Sequence, residues 1–156
     1  MRIGIMSFAH IHAESYVQNL RQAPDVDLIG FSDTDAERGQ HFAGAINLRW
    51  FPTHQALLAE RPEGVVICSE NSRRRELVEM AAAAGSHILC EKPIEVTLRD
   101  AQAMRDICAA NHVRFMTAFP TRFAPSLLSV KAMLARNELG RLYAANGINH
   151  SEIPRE

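Results

Sequence analysis

The stretch Ala84-Gly85-Ser86-His87-Ile88-Leu89-Cys90-Glu91-Lys92-Pro93 decides the reading of this chain. An alanine-rich helical run, Met80–Ala84, stops at Gly85, which is a C-cap signal. The apolar run His87–Cys90 follows and reads as a short buried strand. A charged pair and a proline close it. Glu91 and Lys92 therefore stand at the carboxyl edge of a sheet, where an open α/β sheet binds its ligands. A lysine there can donate hydrogen bonds, or shift its pKa when desolvated. Pro93 fixes the backbone behind it.

Outward from this point the same alternation recurs. Strands are expected at Arg2–Met6, Val26–Phe31, Arg49–Phe51, Gly64–Cys68, His87–Cys90 and Val113–Met116. Helices are expected near 10–22, 35–44, 53–60, 72–84 and 97–111. Strand–helix alternation predicts an α/β fold with a Rossmann-like, doubly wound parallel sheet. Thr97-Leu98-Arg99-Asp100 resembles a capping box opening the last of these helices. Leu98, Ala101, Met104 and Cys108 then share its buried face. From Leu127 to Leu134 apolar residues suggest a further helix, ended by Gly140, and Arg141–Asn149 reads as a new strand. A strand without a downstream partner is unusual, because its backbone groups need a sheet. The expected layout is therefore a cofactor-type domain over 1–123 and the start of a truncated second α/β domain over 124–156.

Bulk properties narrow the function. The chain has 156 residues, 47% hydrophobic and 22% charged, with a net charge of −1. Near-neutral charge argues against nucleic acid or an anionic membrane as partner. No run reaches transmembrane length. The three cysteines, Cys68, Cys90 and Cys108, show no paired spacing and read as reduced cytoplasmic thiols.

The first strand–turn–helix is where a dinucleotide-binding fold keeps its G-x-G-x-x-G fingerprint. Here the matching stretch is Ser7-Phe8-Ala9-His10-Ile11-His12, with every glycine replaced. Ser7 and Ala9 are small enough for a backbone to approach a pyrophosphate, and His10 is a candidate contact. An H-x-H pair invites a metal reading. Residues at i and i+2 do not share a helix face, so no metal site is expected. The second strand ends in Asp33, roughly twenty residues after the first turn, where a carboxylate meets the adenine-ribose hydroxyls. A carboxylate there repels a 2′-phosphate and favours NAD over NADP. The competing role for Asp33 or Asp35 is helix capping.

Together these residues resemble the Gfo/Idh/MocA family of NAD(P)-dependent oxidoreductases. The resemblance rests on the first strand, Asp33, the segment Gly64–Asn71, the Ala84–Pro93 stretch, and Phe119-Pro120-Thr121-Arg122-Phe123-Ala124-Pro125. It implies a hydride passing between nicotinamide and a sugar- or polyol-like small molecule. It implies Lys92 as the catalytic residue that polarises the reacting oxygen, and Pro93 as a proline usually preceded by a cis bond. It implies Glu91, Ser69, Asn71 and Arg122, with Ser7, Phe8, Ala9, His10, Asp33 and Lys92, as cofactor contacts. It also implies a homo-oligomer.

Departures accompany the resemblance: Glu70 stands where the family has proline, and Arg74 where it has histidine. Within Arg73-Arg74-Arg75, Arg74 is the candidate for meeting an anionic substrate group; a solvated helix face is the plain alternative. The family's proton-accepting histidine matches nothing in this chain. The expectation is thus a truncated oxidoreductase, inactive alone. The alternatives are a non-catalytic nucleotide- or sugar-binding regulator, and a structural domain that dimerises through its terminal strand.

Overall fold

The computed structural model describes residues 1–148. Six parallel strands form one sheet: β1 (Arg2–Met6), β2 (Asp27–Ser32), β3 (Trp50–Phe51), β4 (Gly64–Ile67), β5 (His87–Cys90) and β6 (Phe115–Thr117). Their spatial order is β3-β2-β1-β4-β5-β6. This is the doubly wound order that reverses between β1 and β4, placing a ligand crevice over their carboxyl ends.

Side-chain alternation along the strands makes the two cores. Ile3 and Ile5 of β1, Phe31 of β2 and Val66 of β4 face helices α1 (Ala13–Gln22) and α2 (Ala36–Ile46). Met6, Val65, Ile67, Ile88 and Cys90 face the opposite side. There they meet α3 (His54–Ala59), α4 (Arg74–Ala83) and α5 (Leu98–Ala110). Period-two strands covered on both faces bury nearly every residue, hence the continuous apolar runs in the sequence.

Local signals set several boundaries. Thr97 accepts the Asp100 amide at 3.1 Å and opens α5. Gly85, at φ +78°, closes α4 in the left-handed region. Leu98 departs from its expected burial: it is exposed, and α5 buries its face only from Met104 onward. In β2, Ile29 is an extra residue in the register against β1, which pairs Ile3 with Leu28 and Gly4 with Gly30. Gly30 follows that bulge at φ +142°.

Chain contacts separate a unit Met1–Ala118 from one beginning at Phe119. The second contains a single-turn helix, Pro120–Phe123, and helix α6 (Pro125–Ala135), with Pro125 in the first turn. The strand expected over Arg141–Asn149 is not formed. Residues 141–148 have no strand structure, and Asn149 lies outside the described residues. A strand without a partner leaves its amides and carbonyls unpaired.

Candidate functional site

The first turn takes the conformation that the missing glycines would have supplied. Ser7 lies at φ +69°, the left-handed region that L side chains avoid at a cost of about 1–2 kcal/mol. It is held there by its amide bond to Ser32 O at 2.7 Å. Its Oγ accepts the Ala9 amide at 3.2 Å. His10 N donates to Cys68 O at 2.9 Å, tying the turn to the end of β4. Helix α1 begins only at Ala13, with His12 at its N-cap and no side-chain cap bond. Over the turn lies a cavity of about 210 Å³ lined by Phe8, Ala9, His10, Ile11, Ala13, Glu14 and Phe42.

Asp33 ends β2 with its side chain buried. One oxygen accepts the Phe8 amide at 2.8 Å and the other the Asp35 amide at 2.9 Å. Arg38 then grips both, Nε at 2.8 Å and Nη2 at 2.9 Å. Four donors thus meet the carboxylate, and a ribose hydroxyl would reach it by displacing one of the two Arg38 bonds. Burial alone would raise the Asp33 pKa, but the Arg38 and amide bonds outweigh it and hold the group ionised, below its ordinary value. The capping role falls instead to Asp35, which accepts from the Arg38 amide.

Glu91 joins the far side of the crevice to the first turn. Its carboxylate is 1% exposed. Oε1 accepts from Tyr16 Oη at 2.8 Å and pairs with His12 Nδ1 at 2.9 Å. Oε2 accepts the Lys92 amide at 2.9 Å and lies 3.9 Å from His10 Nε2. Burial pushes the Glu91 pKa up; the His12, Tyr16 and Lys92 bonds overcome this and leave it lowered. Tyr16 is correspondingly raised, by burial first and by Glu91 second. Lys92 itself is half-buried at the carboxyl end of β5, and the Lys92–Pro93 bond is cis.

Ser69 is buried beyond β4, its hydroxyl donating to Glu70 O at 3.1 Å, and exposed Asn71 opens the turn into α4. Arg122 is an exposed residue of the second unit. Arg74 corrects the expectation of a substrate-facing cation. It is 0% exposed and its guanidinium donates to the carbonyls of Pro93 and Ser69. The reason is helical phase: Arg74 points inward with Leu77 and Val78. Arg73 and Arg75 point outward, the latter bound to Glu79 and Asp100 at 2.8 and 2.7 Å.

The structure thus brings together Ser7, Phe8, Ala9, His10, Asp33, Glu91 and Lys92, and adds three residues that the sequence does not assign to the site. His12 and Tyr16 bind Glu91, and Arg38 binds Asp33. Asp33 and Arg38 at i and i+5 across a helix start gave a faint sequence signal. Tyr16 and Glu91, 75 residues apart, gave none.

Residues 1–119 match the family model of GFO_IDH_MocA, an oxidoreductase family with an NAD-binding Rossmann fold. The chain belongs to the Gfo/Idh/MocA family. It is 26% identical over 141 residues to glucose-6-phosphate 3-dehydrogenase of Bacillus subtilis, an alignment covering 90% of this chain and 40% of that enzyme. It is 31% identical to D-xylose 1-dehydrogenase (NADP(+)) 2 of Haloferax volcanii, covering 99% and 47%. The WlbA dehydrogenase from Bordetella pertussis, solved with NADH and UDP-GlcNAcA, shares the fold at a TM-score of 0.82 and 24% identity. That match covers 91% of this chain and 44% of the dehydrogenase. The chain therefore spans less than half the length of these relatives.

The residues present fit a dinucleotide. Ser7 adopts the glycine conformation, Ala9 adds only a methyl group, a cavity opens over the turn, and an ionised carboxylate ends β2.

Proposed function

We propose that this chain is the cofactor-binding part of an NAD-dependent dehydrogenase acting on a sugar- or polyol-like CH–OH group. The observation that carries the reading is the convergence of the first turn and the β5 end on Glu91, which sets Lys92 beside the crevice at the switch between β1 and β4. Ser7, Phe8, Ala9 and His10 border the pyrophosphate, Asp33 the adenine ribose, and Ser69, Asn71 and Lys92 the nicotinamide end; Arg122 is assigned to the cofactor by the family resemblance alone. Bound nicotinamide supplies the hydride acceptor. Lys92 is the catalytic residue: its ammonium donates to the reacting oxygen and stabilises the charge that develops there. Glu91 anchors the Lys92 backbone rather than reaching solvent. Residues 124 onward begin the substrate and oligomerisation domain, and the exposed Leu127, Leu128, Val130 and Leu134 of α6 support assembly into a homo-oligomer. Three buried free cysteines suit the reducing cytoplasm, where we place the protein.

Arg38 favours a second reading of cofactor choice. Its guanidinium lies on Asp33, and an arginine at this point accommodates a 2′-phosphate. Paired titrations with NADH and NADPH separate the two. If Asp33 selects NAD, wild type binds NADH more tightly and Asp33→Asn narrows the gap, with circular dichroism confirming the fold. Tighter NADPH binding, lost in Arg38→Ala, would assign the site to NADP.

A further inference from the structure

We propose that His10, His12 and Glu91 form a binding site for a divalent first-row transition ion of the zinc type. The H-x-H objection raised on sequence presumed that both histidines ride on a helix. They do not: His10 lies in the turn before α1 and His12 at its N-cap, so the turn brings their rings to 4.7 Å centroid separation. One ligand atom from each histidine and one from Glu91 lie within 4.8 Å of one another. His12 Nδ1 is 2.9 Å from Glu91 Oε1, and His10 Nε2 is 3.9 Å from Oε2. An ion bound at about 2.0–2.2 Å needs its donor atoms roughly 3–4 Å apart, so small rotations complete the triad.

The chemistry of the donors selects the ion. Two imidazoles and one carboxylate suit zinc and its neighbours, whereas magnesium and calcium take oxygen ligands. The carboxylate is already oriented by Tyr16 Oη and the Lys92 amide, the outer bonds a metal ligand requires. Three protein ligands with a half-exposed His12 leave a position open to water. The His12 amide approaches His10 Nδ1 at 3.3 Å, which leaves the His10 ring proton on Nε2. Metal at Nε2 moves that proton to Nδ1 and gives up this long contact. On His12 the proton moves from Nδ1 to the outward Nε2.

The test uses the full 156-residue chain, stripped with chelator and titrated with Co(II) by visible absorbance and with Zn(II) by calorimetry. One ion per chain is expected. Tyr16→Phe, which removes an outer bond, should weaken uptake about tenfold. His10→Ala, His12→Ala and Glu91→Gln should each weaken it more, with the fold checked by circular dichroism. His112→Asn, on a remote turn, should leave it unchanged. No saturable uptake by the folded chain would overturn the site. So would uptake that survives the His10→Ala/His12→Ala double variant, or that depends on only one of the two histidines. No cofactor enters the readout, so the result stands apart from the dinucleotide reading.

Discussion

At the scale of the residue, this chain keeps a backbone conformation after changing the residue that normally supplies it. Ser7 stands left-handed where a glycine would sit without cost. Ser7→Gly should therefore raise the melting temperature, by the equivalent of up to about 1 kcal/mol after loss of its weak hydroxyl contact. Ser7→Val should lower it, since a β-branched side chain tolerates this region worst. Thermal denaturation of the three proteins measures both. A second residue-scale expectation concerns pH. His54 is buried, with Nδ1 2.7 Å from Ser32 Oγ, and burial foremost, aided by Arg73, lowers its pKa. A lowered histidine binds its proton in the unfolded chain first. Stability is then full above the ordinary histidine value of 6.5 and declines as pH falls below it. Glu91 and Asp33, also lowered, extend the decline below their ordinary values of 4.5 and 3.8. His54→Gln should flatten the upper part of that curve, measured by urea unfolding from about pH 8 to 2, and leave the acid limb in place.

At the scale of the element, the strands and helices were largely legible in the sequence. Four apolar runs and their punctuation by Gly85 and Thr97 reflect local chemistry, which a single sequence carries. Asp33 and Lys92 were legible as strand-end residues for the same reason. What stayed hidden was which way a side chain turns and what it meets from far along the chain. Sequence makes Arg74 only the candidate of its run for the crevice, yet helical phase turns it inward. His12 was read on a helix, yet α1 starts one residue later. The β2 bulge at Ile29 was equally invisible, because it exists only in register against β1. It predicts that Gly30→Ala is costly. A methyl group there would lie 2.5 Å from Arg49 O, the carbonyl that accepts the Phe31 amide, and φ would remain +142°. The loss should exceed about 1 kcal/mol, read as a lower denaturation midpoint at constant slope.

At the scale of the whole molecule, the two faces of the sheet bury all three thiols. Burial foremost raises the Cys90 pKa to about 12, and raises those of Cys68 and Cys108 as well. Thiolates are the reactive form. At pH 8 a thiol reagent should label no cysteine in the native chain and three in urea; fast labelling of one in the native state would mean a face of the sheet opens readily. The larger claim is that the carboxyl ends of β1, β2 and β5 together make a cofactor site despite the altered fingerprint. The single tryptophan, Trp50, donates from Nε1 to Asp33 O at 3.1 Å and so reports from beside that site. Titration of the folded chain with NADH, followed through Trp50 emission and calorimetry, tests the claim most directly. The prediction is saturable binding of one NADH per chain with quenching of Trp50. Absence of saturable binding by a folded chain would mean that the Ser7–His12 turn has closed the phosphate site, contradicting the account.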